Sequence, residues 1–297
     1  MGGTVMVKSD NARGAMFICV AMGAFTINDA VMKLLTETMP LYQAMTLRGV
    51  TSLLFLLAIA RGRGELRFRL PAGDWRLMRF RALGEIIATV TYLLAMAHMP
   101  LATLVALMQS MPLATALAAV VIFRERLGRV QLIAILAGFL GVVVILRPGP
   151  DGISLWSLLV LVSVAACVLR DMSTRAMSPA MPTTMVAVFS ATAVSVYGVV
   201  GWAFEGGIAL DASMTLMLLV SSVTLAIGYC AGASAMRIGD VAAVAPFRYT
   251  SLIWAVVLDL LMFGLLPDAF TLIGGAIVIG AGLFGLMWER RARAAVS

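Results

Sequence analysis

The first signal of the fold is the stretch Asn28-Asp29-Ala30-Val31-Met32-Lys33, which runs on to Met39-Pro40. It closes the first long apolar segment, and it places an acid and a base where the interior of a membrane helix normally has neither. The same pattern returns 142 residues later as Asp171, Arg175, Met181 and Pro182. This recurrence predicts that the chain consists of two related halves.

The composition predicts a membrane protein. Of 297 residues, 62% are hydrophobic and 12% are charged, whereas soluble domains carry about 25% charged residues. Cys19, Cys167 and Cys230 each stand alone in apolar sequence, and His98 is the only histidine. These residues predict neither a disulfide framework nor a metal site. We expect no cofactor.

Ten apolar segments are long enough to cross a bilayer, because a helix rises about 1.5 Å per residue and the hydrocarbon core is about 30 Å thick. Turn residues such as Pro and Gly separate them. The predicted fold is therefore all-α and integral to the membrane, with ten transmembrane helices. The segments are 14–35, 41–60, 82–99, 101–123, 128–146, 153–170, 183–204, 212–236, 241–265 and 269–288.

The basic residues predict the orientation of these segments. Of the 22 lysines and arginines, 18 fall on one side of the predicted membrane, and only Lys33 and Arg147 fall on the other. Arg48 and Arg248 lie within segments. Basic residues accumulate on the cytoplasmic side, so we expect both termini in the cytoplasm. The same rule explains the net charge of +7 without a nucleic-acid partner.

The two halves are predicted to span residues 1–147 and 148–297. Five segments per half is an odd number, so the second half must insert upside down relative to the first. Later positions also match, at an offset of 139, since Gly141 aligns with Gly280. Inverted repeats are typical of carriers that alternate between two openings around a central site.

The first half contains a series of motifs: Ala95-Met96-Ala97-His98-Met99-Pro100-Leu101-Ala102, Pro112, Phe123-Arg124-Glu125-Arg126-Leu127, Gly138 and Gly141. Together they resemble the EamA family of the drug/metabolite transporter superfamily. The second half resembles bacterial members at Ala245-Pro246-Phe247-Arg248-Tyr249-Thr250-Ser251-Leu252, and it departs at Gly264, where many members keep a glutamate.

The resemblance implies a carrier of the bacterial inner membrane with a central cavity, similar to YddG-type amino-acid exporters. It implies export of amino acids and related small metabolites. The alternative is uptake of a larger metabolite such as S-adenosylmethionine or riboflavin. An enzyme is not expected, because no constellation of acids, histidines or a nucleophile is present. The expected partners are a small-molecule substrate and the lipid bilayer, and a monomer suffices.

Two charged clusters are candidates for gating or coupling. Asp29 and Lys33 are four residues apart with the acid first, the favourable order for a pair within one helix. Asp171 and Arg175 repeat the spacing, and Asn28 adjoins the first pair. Each pair either stabilises a helix end near the interface or gates one mouth of the pathway, and Asp29 is also a candidate protonation site.

Two arginines lie inside predicted segments and require partners, because an unpaired charge in a membrane is costly. For Arg248 the alternatives are Glu85 and the carboxylate of a substrate. For Arg48 we expect Asp259, as a structural pair.

Aromatic and amide side chains near the predicted midplane are candidates for substrate binding. Together with Arg248 they form the predicted substrate site: Tyr92, Gln109, Ser110, Tyr229, Tyr249 and Trp254. In the tenth segment, Gly274, Gly275 and Gly280 predict close helix packing, either within one chain or between chains.

Overall fold

In the computed structural model, the described residues are 2–64, 73–124, 128–148, 153–178, 183–238 and 244–294. They form helices and contain no strand. The ten predicted segments are confirmed, because ten helical spans are long and apolar enough to cross a membrane. The helices are α1 (Gly2–Thr38), α2 (Leu41–Gly62), α3 (Asp74–His98), α4a (Leu101–Met108), α4b (Met111–Phe123), α5 (Arg129–Leu146), α6 (Leu155–Arg175), α7 (Thr183–Glu205), α8 (Ala212–Ile238), α9 (Thr250–Phe263) and α10 (Ala269–Ala294).

Proline interrupts the fourth and ninth spans. Pro112 has no N–H, and its ring would clash with the carbonyl of Met108 four residues earlier, so α4a ends at Met108. In the ninth span a 3-10 helix, Ala245–Tyr249, contains Pro246 and leads into α9. Both spans end in a left-handed residue, Arg124 after α4b and Gly264 after α9.

The helices pair across the two halves of the chain. The most extensive contacts join α1 to α8, α3 to α6, α5 to α10 and α2 to α7. Further contacts join α9 to α1 and α4a. Every span of the first half therefore packs against a span of the second half, and the interior of the bundle is shared between them.

Glycine permits the close contact between α5 and α10. A Cβ on Gly274 would lie 2.6 Å from the carbonyl oxygen of Gly141, and a Cβ on Gly141 would lie 2.8 Å from the carbonyl oxygen of Gly274. The predicted small-residue packing of the tenth segment is thus confirmed at Gly274 and operates within one chain. Gly280 faces open space instead.

Large apolar side chains cover the outer surface of the bundle. Val121, Leu140 and Leu261 are each more than half exposed. Such faces suit a hydrocarbon environment, because a water-soluble monomer rarely exposes apolar patches of this extent.

Candidate functional site

A cavity of about 340 Å³ lies among α2, α3, α6, α7 and α8. Both halves of the chain contribute to its wall. Charged groups dominate its polar lining, which includes Arg48, Arg81, Glu85, Arg170, Asp171 and Tyr229. A charged cavity within a bundle of apolar helices is a functional-site candidate, because burying these charges requires a compensating role or partner.

Four of the charges form a network between α3 and α6. Arg170 donates to Asp171 at 2.8 Å and approaches Glu85 at 3.4 Å. Arg81 lies 3.8 Å from Glu85 and donates to the hydroxyl of Thr174. Two arginines thus compensate two carboxylates on one wall of the cavity. This network lies towards the ends of α3 and α6 on the side that carries most of the arginines in the described part of the chain, which we call the Arg-rich side.

The third guanidinium in the cavity belongs to Arg48, and it is not part of this network of salt bridges. Nη1 of Arg48 is buried and has no hydrogen-bond partner within the described part of the chain. The hydroxyl of Ser190, on the facing helix α7, is likewise buried and unpartnered among the described residues. Unsatisfied polar groups of this kind cost free energy unless a ligand or water occupies the space beside them.

A second polar network lies deeper along α1. Asp29 accepts hydrogen bonds from Tyr92 at 2.7 Å and from the side-chain amide of Asn28 at 3.0 Å. Asn28 in turn accepts a hydrogen bond from Ser221 at 2.7 Å. Arg48 is close enough to act on Asp29 electrostatically. The network joins α1, α3 and α8 next to the unpartnered guanidinium.

Buried charges hold the turn between α3 and α4a on the opposite, Arg-poor side. Lys33 donates to the carbonyl of Met99 at 2.8 Å, at the end of α3. Asp259 accepts from the N–H groups of Leu101 at 3.0 Å and Ala102 at 2.6 Å, at the start of α4a. A cation at a helix C-terminus and an anion at an N-terminus both complement the helix dipole.

A second link closes the Arg-poor side between α2 and α7. Gln43 is buried, and its side chain both donates to and accepts from the backbone of Ile208, at 2.8 and 2.9 Å. Glu205 accepts from the backbone N–H groups of Leu41 and Tyr42, the first residues of α2. The cavity lining comes within four residues of the Arg-rich ends of α6 and α7, whereas these links join α2 to α7 at their Arg-poor ends.

The predicted pairs within α1 and α6 are wrong. Asp29 is bonded by Tyr92 and Asn28, while Lys33 reaches the α3–α4a turn and lies 4.6 Å from the ring centre of Phe263. Except for Asn28, the groups that contact Asp29 and Lys33 come from neighbouring helices, which helical spacing alone does not reveal.

The second predicted acid–base pair also has different partners. Asp171 pairs with Arg170, the residue next to it, and the guanidinium of Arg175 lies 4.8 Å from the ring centre of Phe123. The recurring residues Met181 and Pro182 and the motif residue Glu125 lie outside the described residues.

The two pairs predicted between segments are also wrong. Glu85 interacts with Arg81 and Arg170, and Arg248 is exposed. Asp259 binds the start of α4a rather than Arg48, because it lies near the Arg-poor end of α9. Arg48 lines the cavity instead.

Of the predicted substrate residues, Tyr229 lines the cavity. Tyr92 binds Asp29 at its margin. Gln109 donates to Ser251 at 2.9 Å, and Ser110 donates to the carbonyl of Leu107 in the same span. Gln109 and Ser110 therefore have partners within the protein.

The other two aromatic residues pack between helices. The Tyr249 hydroxyl lies against Gly282 of α10, and the Trp254 ring lies against Gly23 of α1. The sequence analysis did not identify Arg48, Arg81, Arg170 and Ser190 as site residues. Only Arg48 could have been identified, because it lies well inside its predicted segment. Arg81 and Arg170 fall at the ends of predicted segments, where arginine is common.

Known proteins resemble this chain over nearly its whole length. Residues 12–147 match the EamA-like transporter family. A riboflavin transporter of Rhizobium johnstonii is 26% identical over 94% of this chain and 92% of its own. A riboflavin transporter of Vibrio cholerae serotype O1 is 26% identical, with 96% of each chain covered.

A solved structure shares the fold. It superposes with a TM-score of 0.63 at 18% identity, covering 95% of this chain and 99% of its own. The ten apolar spans are consistent with the match to a family of transporters. Over residues 12–147, a little under half of its length, the chain is thus similar to the EamA-like transporter family.

Proposed function

We propose that this protein is a secondary carrier that moves a small polar metabolite across the membrane by alternating access. The observation that carries the proposal is the charged cavity, to which both halves of the chain contribute lining residues. A carrier needs such a central site together with two ends that open in turn.

The pairing of helices supports an inverted repeat of residues 1–147 and 148–297. Exchanging the halves would convert the α1–α8 contact into α6–α3, and both contacts are present. The same exchange leaves α2–α7, α4a–α9 and α5–α10 as pairs of equivalent helices. This symmetry would let the links at the Arg-poor end form on the other side while the first set breaks.

We assign the Arg-rich side to the cytoplasm of a bacterial inner membrane, following the distribution of basic residues. With that assignment both termini are cytoplasmic and the cavity faces inward. Substrate reaches Arg48 and Tyr229 from the cytoplasmic side in this conformation. The opposite state then requires release of the contacts that Lys33, Asp259 and Gln43 make at the outer end.

Riboflavin is the first substrate to test. Both relatives named above are riboflavin transporters and align with nearly the entire chain. Riboflavin has a neutral heteroaromatic ring with carbonyl acceptors and a polyhydroxyl chain. The cavity supplies an aromatic face at Tyr229 together with guanidinium, carboxylate and hydroxyl groups that can bind such a molecule.

Amino acids are the second candidate. The cavity presents guanidinium groups and carboxylates within one small volume, and a zwitterion carries the complementary charges. A planar guanidinium fork suits a substrate carboxylate. Glu85 and Asp171 would then lie near the ammonium group.

Reconstitution tests the function. Purified protein in proteoliposomes should accumulate radiolabelled riboflavin down a gradient, and unlabelled riboflavin should compete. A panel of radiolabelled amino acids provides the second arm. Arg170→Gln disrupts the cavity network and should abolish transport, whereas Arg61→Gln removes an exposed arginine of α2 outside the cavity and should not. Transport of neither substrate class by the wild type would contradict both assignments.

A further inference from the structure

We propose that Arg48 and Ser190 together bind an acceptor oxygen of the transported molecule, a carbonyl of an imide or an oxygen of a carboxylate. The inference rests on the proposed function, because it assigns the polar contact within the transport cavity. It also identifies the feature of a substrate that the cavity selects.

The first step is that every carboxylate around Arg48 already has donors. Asp29 accepts from Tyr92 and Asn28, one on each oxygen. Glu85 and Asp171 are bound by Arg170, and Glu85 also faces Arg81. None of these carboxylates accepts a hydrogen bond from Nη1 of Arg48, which has no acceptor among the described residues.

The second step is that Ser190 offers a matching donor. Its side chain is 3% exposed, lines the same cavity and has no partner among the described residues. This is unusual for a helical serine here, since Ser195 of the same helix donates to its own backbone at Ala191. The Ser190 hydroxyl is thus available to a molecule in the cavity.

The third step is that the two donors lie on facing helices within reach of one small ligand. α2 and α7 touch where a Cβ on Gly49 would meet the Ser195 hydroxyl at 2.7 Å. Gly49 follows Arg48, and Ser190 lies five residues before Ser195, about 7.5 Å along the helix. Both residues line the same cavity of about 340 Å³, so a small ligand there can contact both groups.

A thermal measurement separates this role from a structural one. A structural arginine loses stability when replaced, because its partner is left unpaired in the interior. Among the described residues Arg48 has no hydrogen-bond partner at Nη1, and Asp29 keeps its donors Tyr92 and Asn28, so Arg48→Gln without ligand should melt close to the wild-type temperature. A lower melting temperature would indicate a structural role and overturn the proposal.

The transport measurement determines KM for the variants and their controls. Arg48→Gln should raise KM about tenfold or more, because it removes a charge-assisted hydrogen bond. Ser190→Ala should raise KM roughly two- to tenfold, as expected for a neutral hydrogen bond. Arg61→Gln and Ser195→Ala are controls on the same two helices and should keep the wild-type KM. Unchanged KM in both test variants would overturn the proposal.

Two pairs of probes distinguish the source of the oxygen. Riboflavin is compared with analogues in which a ring carbonyl is replaced by a thiocarbonyl, a weaker acceptor. Methionine is compared with methioninamide, which lacks the carboxylate. The wild type should discriminate within the pair it transports, and Arg48→Gln should lose that discrimination. Equal discrimination by the two proteins would overturn the proposal.

Failure of the proposed function is recognised separately. If the wild type transports neither riboflavin nor any amino acid of the panel, the transport assignment fails. Binding of an acceptor oxygen by Arg48 and Ser190 is then tested in melting experiments. The ligands are acetate, a simple carboxylate, and uracil, a simple imide. A ligand that raises the melting temperature of the wild type but not that of Arg48→Gln supports the proposed binding by Arg48 and Ser190. Stabilisation of neither protein, or of both, overturns it.

Discussion

At the residue scale, we propose Asp29 as the carboxylate that couples transport to protons. It lies inside the first span and is held by Tyr92 and Asn28, with Arg48 near enough to act on it. Protonation of Asp29 would remove the negative charge beside Arg48. The proposed substrate-binding group of Arg48 and the proposed coupling site at Asp29 would thereby influence each other electrostatically.

We therefore expect Asp29→Asn to transport substrate without the pH dependence of the wild type, because asparagine cannot bind or release a proton. Initial rates in proteoliposomes across a series of buffers measure this. Glu37→Gln removes an exposed acid from the same helix and should leave the pH profile unchanged. A wild-type profile in Asp29→Asn would refute the coupling role.

Arg248 provides a test of the substrate site predicted from sequence. The structure places it on the surface and outside the cavity. We expect Arg248→Gln to keep KM and maximal rate within about twofold, since surface substitutions usually change free energies by less than about 0.5 kcal/mol. Transport assays on folded, monodisperse protein measure this. Abolished transport would instead favour the sequence prediction that Arg248 binds a substrate carboxylate.

At the scale of elements, the α3–α4a turn depends on charges supplied by α1 and α9. Asp259 is fully buried and binds two N–H groups. Asp259→Leu should lower the free energy of unfolding by about 3 kcal/mol or more, because the buried Lys33 then loses its nearby counter-charge.

Thermal or denaturant unfolding in detergent measures this change. Asp268→Leu is the comparison, because Asp268 is a half-exposed residue that caps α10. Loss of that cap should cost about 1 kcal/mol. If the free energy of unfolding falls equally in the two variants, Asp259 does not contribute more to stability than an ordinary helix cap.

The α5–α10 contact gives a second prediction at this scale. Gly274→Leu should destabilise the protein by about 1–3 kcal/mol or more, because the added side chain meets the backbone of α5. A Cβ on Gly280 of the same helix would have no atom within 4 Å, so Gly280→Leu should be nearly neutral. The two melting temperatures provide the measurement. A neutral Gly274→Leu would show that the helices separate without cost.

At the scale of the whole molecule, the conformation described here predicts which side reaches the cavity. In a background where Cys19, Cys167 and Cys230 are replaced by alanine, Ser52→Cys lines the cavity and Thr38→Cys lies exposed at the Arg-poor end. A membrane-impermeant maleimide should label Ser52→Cys from the cytoplasmic side and Thr38→Cys from the opposite side. Labelling of both from one side would contradict the proposed orientation.

Sequence reasoning was effective where the property is local. The ten spans follow from hydropathy and length, and the breaks follow from proline and glycine. It was less effective for the site, because lipid-facing and buried faces of these helices are both apolar. The usual alternation that reveals the inward face of a helix is therefore weak, and the inward orientation of Arg48 and Ser190 gave no clear pattern.

By itself, the sequence determined the membrane class, the number and approximate positions of the spans and the uneven distribution of basic residues, because each depends on residues close together in the chain. Only the tertiary structure decided the partners of the charges. Arg170 meets Glu85 across 85 positions, and Asp259 binds Leu101 across 158 positions. Such partners are set by how distant helices pack and rotate against one another, which no local spacing encodes.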